Sequence, residues 1–480
     1  MEMTEPKTLR KEGMKPEVSK EQELWQASTD GDLEIVKVLM ADPAVDVNWQ
    51  DDEHRRTPFY RACGHGKTGV VKYMMQDPRV NVTQETNDLA TPFFIACQKG
   101  STDVVKLLLR DPRQEVCLKK ANSKKATPFL IACENGNFDV AILLLNDPRF
   151  FPEDFNTLQK EGASPLHMAS FNGKEDVVRL LLADPRTIVD TTDCLGVSVF
   201  FLACQGGHRG VVSLLMQDPR FDLNLPDKHG YTPFFVACEN GHSAVVSLLL
   251  ADERIDILKS SIKQMTPFYG ACEKGQTAVV ELLLADWRME AEVNRPKHNR
   301  STPLWFASQE GHFGVVQRML ASRILVDTQT KSEFNNYTAS EQGRAMGRKL
   351  KTDESEEVFQ QRRTYGPQCA DLIDEYEGDP EGIRARLRRM PEIRDHYIGH
   401  TYALVVFFSD NFLALPEAVT TRTQGAADVA KFFLICSRLP LDLQMVLCNR
   451  MFSSPRNIVL SRDSEQGFKW LGRFSTWMGP

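Results

Sequence analysis

The sequence predicts an all-α-type solenoid followed by a small all-helical C-terminal domain, and three observations carry that prediction. One block recurs along about two-thirds of the chain, at spacings of 34 to 37 residues. Inside each block the apolar residues fall three and four apart in two separate runs, the period of a helix with one buried face. Beyond the last block the chain loses the repeat and is cut by prolines into helix-length pieces.

The block is clearest at 232–252. Thr232 caps a helix through its hydroxyl, and Pro233 suits the first helical position, where its missing N–H would be unpaired anyway. Phe234, Ala237 and Cys238 share one face, and Gly241 supplies the backbone freedom for a stop and a turn. Val245, Val246, Leu248 and Leu249 form the stripe of a second helix. Two such short helices leave apolar faces uncovered, so the unit is stable only against copies of itself.

Those copies begin at Thr57, Thr91, Thr127, Ser164, Ser198, Thr266 and Thr302, with a looser one near Gln22. The Thr-Pro-x-x-x-Ala opening, the later Gly and the Val-Val-x-Leu-Leu stripe resemble ankyrin repeats, most closely at Ser164-Pro-Leu-His-Met-Ala169. The resemblance covers about residues 22–350 as nine repeats and a terminal half-repeat near Thr338. It implies helix-turn-helix repeats joined by short β-hairpin fingers, with Asp193-Cys-Leu-Gly196 and Asp227-Lys-His-Gly230 as finger turns. Lys259-Ser-Ser-Ile-Lys-Gln264 departs from that turn pattern. A larger departure is the histidine of the opening, kept at His167 and replaced by Tyr60, Phe94, Leu130, Phe201, Phe235, Tyr269 and Trp305. These aromatics are expected in the core, with an aromatic groove for a peptide as the alternative.

In chain order, 1–21 reads as a disordered arm and 21–40 as a capping repeat with a polar outer face. Most second helices end at Asp-Pro-Arg, from Asp77-Pro78-Arg79 to Asp218-Pro219-Arg220, because proline turns the preceding residue away from helix. Asp252 with Arg254 and Asp286 with Arg288 keep both charges without the proline. The motif is either a solvated face or an Asp–Arg ladder between layers. Cys63, Cys97, Cys133, Cys204, Cys238 and Cys272 repeat at one position, filled by Ser170 and Ser308 elsewhere. Stacked helices stand about 8–10 Å apart, too far for one thiol per layer to share a zinc or pair with the next. They are read as small core fillers in a reducing compartment.

After the repeats, 351–366 reads as a charged linker or solvated helix, 367–472 as the helical domain and 473–480 as a tail. Asp379-Pro380-Glu381 is a helix start, and further helices are expected at 393–415, 426–438, 441–452 and 463–471. Residues 438–450 resemble a C-terminal segment of fungal and protist ankyrin-repeat families, and, over about a dozen residues, the opening of an F-box.

The formal net charge of −7 is modest and of mixed sign, so no global field recruits nucleic acid or an anionic membrane. Residues 1–21 lack the apolar core of a secretory signal, and Asp410 and Asn411 interrupt the greasiest run. There is no phosphate-cradling Gly loop and no His-Glu-x-x-His or Gly-x-Ser-x-Gly motif. His396 and His400 are too few to close a zinc site. Arg384 to Arg394 form a basic run, read as paired with the preceding acids. No catalytic, cofactor or metal residue is therefore expected.

The expected activity is non-enzymatic: a cytoplasmic or nuclear, monomeric protein–protein scaffold that binds neither nucleic acid nor membrane. The resemblance implies docking on a concave face of finger tips and first-helix ends. Carried over by position, that face comprises His54, Arg56, Asp88, Lys124, Glu134, Asn135, Glu161, Phe171, Asn172, Leu195, Gln205, His229, Tyr231, Glu239, Asn240, Lys263, Glu273, Lys274, Gln309 and Glu310. Phe171 and Tyr231 would be the aromatic anchors. The alternative is a ubiquitin-ligase substrate adaptor docking through the C-terminal helices.

Overall fold

The computed structural model describes residues 19–346, 355–391 and 393. Within them the chain forms twenty-two α-helices, two short 3-10 turns and one isolated bridge, between Thr192 and Ser198. Those residues fall into two compact units, 19–203 with 217–221 and 204–216 with 222–393, so the division cuts the sixth repeat. The four helices expected from 393 onward, the F-box-like segment and the 1–18 arm lie outside the described residues.

The N-terminal unit holds five helix pairs: α1 (Lys20–Asp30) and α2 (Leu33–Ala41), α3 (Pro58–Gly64) and α4 (Thr68–Met74), α5 (Pro92–Lys99) and α6 (Thr102–Leu109), α7 (Pro128–Asn135) and α8 (Phe138–Leu145), then, after the single turn α9 (Pro152–Phe155), α10 (Pro165–Phe171) and α11 (Glu175–Ala183). First helices pack on first helices, α1 on α3 through to α7 on α10, and second on second, α2 on α4 through to α8 on α11. The division runs through α12 (Val199–Gly206) and the end of α13 (Arg209–Gln217).

The second unit continues with α14 (Pro233–Glu239), α15 (Ser243–Leu250), α16 (Pro267–Glu273), α17 (Thr277–Ala285), α18 (Pro303–Gln309), α19 (Phe313–Ala321), α20 (Ala339–Met346), α21 (Glu356–Gly378) and α22 (Pro380–Arg388). Here α20 packs on α18 as a tenth first helix, and α22 packs on α19 in the row of second helices. The 23-residue α21 lies against α18, α19, α20 and α22. It runs unbroken through Pro367, where the sequence placed the start of a separate domain, and its Arg362 is fully buried. The stretch read as a linker or a solvated helix is thus helical from Glu356 on, in a helix packed against the end of the stack. The start at Asp379 is as expected, its carboxylate accepting from Gly382 N–H at 2.9 Å.

Each first helix begins as its sequence dictates. Thr57, Thr91, Thr127, Thr232, Thr266 and Thr302 accept from the N–H three residues on at 3.1–3.2 Å, and the next residue is proline. The residues standing where the family has histidine are all buried, from Tyr60 at 8% exposure to Leu130 and Tyr269 at 0%, so this stripe is core, with only the edges of Tyr60 and Phe94 reaching a groove. All six repeated cysteines are free and fully buried, and burial pushes their thiols far above the usual range.

Three side-chain rows tie neighbouring repeats within each unit. The Asp–Arg pairs are the first, and they differ from the interlayer ladder weighed above. Each Asp grips the Arg of its own repeat, as Asp77 does Arg79 at 2.7 Å. The arginine's Nη2 then donates to a carbonyl ending the preceding second helix: Arg113 to Met75, Arg149 to Leu109, Arg186 to Leu145, Arg220 to Leu182, Arg254 to Met216 and Arg288 to Leu250, at 2.9–3.0 Å. A helix end carries unpaired carbonyls and partial negative charge, so a guanidinium is a suited partner. Arg388 Nε makes the matching bond to Ala321 O at 2.8 Å, where the repeats stop.

The second row lies at the other end of the helices. At four second helices the opening residue leans over the preceding repeat's turn and bonds the end of its first helix: Asn137 donates to Cys97 and Gln98, Gln276 to Glu239, with His242 at 2.8 Å from Gln205 O and His312 at 3.0 Å from Glu273 O. The glycine beneath, such as Gly207 at φ 75°, leaves room for this; a Cβ there would lie 2.3 Å from His242 Nδ1. The third row is a set of asparagines between repeats. Asn48, for example, donates to Arg79 O and accepts from Asn81 N–H, both at 2.7 Å.

The expected β-hairpin fingers are not strands in the described residues. Each closes with one main-chain bond, such as Asp51 N–H to Arg56 O at 3.2 Å, while Asp51 Oδ1 takes the N–H groups of His54 and Arg56. The side chain thereby uses donors a second rung would need. The turn is nonetheless uniform. Gly162, Gly196 and Gly230 have φ from 77° to 86°, and Arg55, Leu89, Lys125, Gln264 and Arg300 take the same left-handed conformation without being glycine.

Candidate partner-binding groove

Finger tips form a row in the N-terminal unit because each donates to the one before it: Asn87 N–H to His54 O, Ser123 to Asp88 O, Lys160 to Lys124 O and Cys194 to Glu161 O, at 2.9–3.1 Å. The accepting carbonyls belong to residues expected on the partner face. Their backbones are thus fixed. Opposite stand the C-terminal ends of α3, α5 and α7, and between the two rims runs an open groove of about 840 Å³ spanning repeats two to five.

Its floor is apolar, with Tyr60, Phe94, Ile95, Ile131 and Met168, and its rims are charged. Six of the expected site residues line it: His54, Arg56, Asp88, Lys124, Glu134 and Glu161. Arg61, His65, Lys99 and Lys160 line it too and were missed. The signal was present, since His65 and Lys99 fill the repeat position that Asn135 fills in its own. Burial, then the cations Arg61, Lys67 and Lys99, hold the His65 imidazole below its usual range. Burial also raises the Glu134 carboxyl, with Lys124 opposing. Arg61 is held against Trp25, its guanidinium 4.4 Å from the ring centroid and its Nε bonded to Thr29 Oγ1 at 3.1 Å.

The other four residues expected in this unit stand outside the groove. Asn135 and Asn172 donate back to the carbonyls of Ile131 and Met168 in their own helices, at 2.8 and 2.9 Å. Phe171 and Leu195 are 39% and 53% exposed.

In the second unit, Tyr231 leans on Phe235 with ring centroids 4.6 Å apart, its hydroxyl 3.7 Å from Met265 Sδ. His229 O accepts from Ile262 N–H, repeating the tip-to-tip bond, and Lys263 is exposed. Gln205 mainly contributes its carbonyl, to Asn240 and His242. Glu239 and Lys274 lie 3.9 Å apart. Burial raises the Glu273 carboxyl, opposed by Lys297 and Lys274, with Glu239 and Glu310 adding to the rise. Gln309 and Glu310 are engaged by the closing helices: Gln342 of α20 donates to Gln309 at 2.9 Å, and Arg362 of α21 stands 4.0 Å from Glu310. Lys297 was also missed. It rises from its finger to lie 4.2 Å from the Phe306 ring centroid and 5.1 Å from that of Tyr269. It holds the regular finger position, five residues before the cap, as Asp193 and Asp227 do, and makes the same closing bond, to Ser301 O; the lysine there, in place of the usual small polar residue, was the signal.

Among the described residues no three His, Cys, Asp or Glu side chains gather as a metal site, and no helix is long and apolar enough to cross a membrane. No curated protein matched the chain. The family model for ankyrin repeats matches three times, at 24–120, 115–193 and 185–261. The pairs α16–α17 and α18–α19 lie beyond those matches and keep the same caps and interlayer bonds. With the motif, the helix pairs and the family match agreeing, the chain is an ankyrin-repeat protein.

Proposed function

We propose that the chain is a non-enzymatic scaffold that docks partner proteins on its finger tips and first-helix ends. Ankyrin repeats are an interaction module, which supports protein binding in general terms. One observation supports this particular face. The repeats act as an internal alignment, and core positions recur almost unchanged: the Thr-Pro opening and the buried Ala-Cys pair. The finger-tip position on the rim, three residues before the cap, changes along the array through His54, Asp88, Lys124, Glu161, Leu195, His229, Lys263 and Asn299. Residues that make the fold are copied, and those on the rim are individual. That pattern fits recognition of a specific partner surface, where a few central anchors dominate.

The test is co-purification from native extract with the full chain and with Lys99→Ala, Lys124→Ala and Tyr231→Ala variants, each checked for an unchanged thermal transition. Partners recovered by the parent and lost from at least one rim variant support the reading. Partners retained by all of them would place docking elsewhere. The ubiquitin-ligase adaptor docking through the C-terminal helices remains the second reading only as a sequence expectation, because the F-box-like segment at 438–450 lies outside the described residues.

A further inference from the structure

The charge along the N-terminal groove is uneven. At its first end Arg56, Arg61, His65 and Lys99 converge from both rims, and Asp88 is the acid lining that end. Lys124 and Lys160 follow on the finger rim, with Glu134 and Glu161 as the acids there. Arg56, Lys99, Lys124 and Lys160 have no ion-pair partner among the described residues. By contrast, the motif arginines and Lys119, Lys120 and Lys106 are each paired with a carboxylate. Internal acids thus neutralise much of the unit's positive charge, and four of the cations left without an ion pair among the described residues line this groove.

The floor adds a spacing. Ile95, Ile131 and Met168 hold one position in successive repeats, so one apolar side chain is offered per layer. Layers about 8–10 Å apart match about three residues of extended chain at about 3.3 Å each. We infer that this groove binds an extended acidic peptide, with aliphatic side chains about three residues apart over Ile95 and Ile131 and carboxylates facing Arg56, Lys99 and Lys124. The inference rests on the docking reading above and names the chemistry of its partner. From repeat two to repeat five such a segment is about nine residues long.

The probe is a fluorescein-labelled peptide of three Glu-Leu-Ser triplets, titrated by anisotropy with the full chain. A Lys-Leu-Ser peptide and an oligothymidylate of equal length are the comparisons. The acidic peptide is expected to bind, and the lysine peptide to bind at least about tenfold more weakly, because matched charges favour the right partner and like charges reject the wrong one. Lys99→Glu with Lys124→Glu should weaken the acidic peptide about tenfold or more, whereas Lys72→Glu on α4, outside the groove, should leave it unchanged. Equal binding of both peptides, preference for the oligonucleotide, or an equal loss with Lys72→Glu would overturn the inference. Protein partners that co-purify and survive the Lys99→Glu, Lys124→Glu pair but not Tyr231→Ala would overturn it while leaving the docking reading intact.

Discussion

Ser170 and Ser308 stand where six other repeats place cysteine, and both hydroxyls are buried without a hydrogen-bond partner among the described residues. An unmet buried hydroxyl costs about 1–3 kcal/mol. A thiol fits the same space at little penalty, so Ser170→Cys should raise stability by about 1 kcal/mol in urea unfolding. Glu273 gives a pH test. Its carboxyl is raised by burial, so the folded state holds a proton that the unfolded state has released. Stability therefore falls as pH rises through the interval just above the ordinary glutamate value. Glu273→Gln should remove that decline and raise the melting temperature at pH 7. The paired aspartates act in the opposite sense. The guanidinium bonds hold Asp77, Asp111, Asp147, Asp184, Asp218 and Asp252 below the usual range, so their contribution is complete above about pH 4 and is lost in stronger acid. Arg288→Ala, which removes both the Asp286 pair and the bond to Leu250 O, should cost about 1.5 kcal/mol in the same unfolding assay.

Helices were legible because every device that makes them is local: a hydroxyl cap, a proline at the first position, a glycine stop and two apolar stripes. The finger turns were legible only in part. Where Asp-x-x-Gly was intact the turn followed, but Leu89, Lys125 and Gln264 hold the left-handed conformation with a Cβ, which costs about 1–2 kcal/mol. The tip-to-tip bonds impose that conformation from outside the segment, so its own residues do not announce it. Lys125→Gly should relieve the strain, less the entropy glycine loses on folding, for a net gain of about 0.5 kcal/mol in thermal melts. The interlayer rows escaped for a related reason. Asn137, His242, Gln276 and His312 do one job with three kinds of side chain, and a pattern keyed to residue type does not group them. Four of the groove's ten charged or imidazole side chains, Arg61, His65, Lys99 and Lys160, escaped because a rim position marked by its chemistry in one repeat was not carried to the equivalent position in the others.

For the molecule as a whole, the least legible feature was the C-terminal boundary. The repeat stops near Thr338 and the composition turns to mixed charge, which reads as a linker. Yet α20, α21 and α22 take over the roles a further repeat would play, with Gly343 and Gly366 letting α20 and α21 approach closely. A Cβ on Gly343 would lie 2.7 Å from Gly366 O. Repeat stability is a sum of near-neighbour terms that ends must complete.

The Arg row has one further consequence. Each arginine reaches back to the carbonyls of the module before it, so seven second helices, from α2 to α15, are finished by the module that follows, and Arg388 finishes α19. The array is thereby vectorial. During synthesis a module leaves the ribosome with its helix end still bare, and only the arrival of its successor completes it. For these bonds, shortening the chain from its beginning strands no carbonyl, whereas shortening it by one module from within α4 to α15 bares the helix end of the module before.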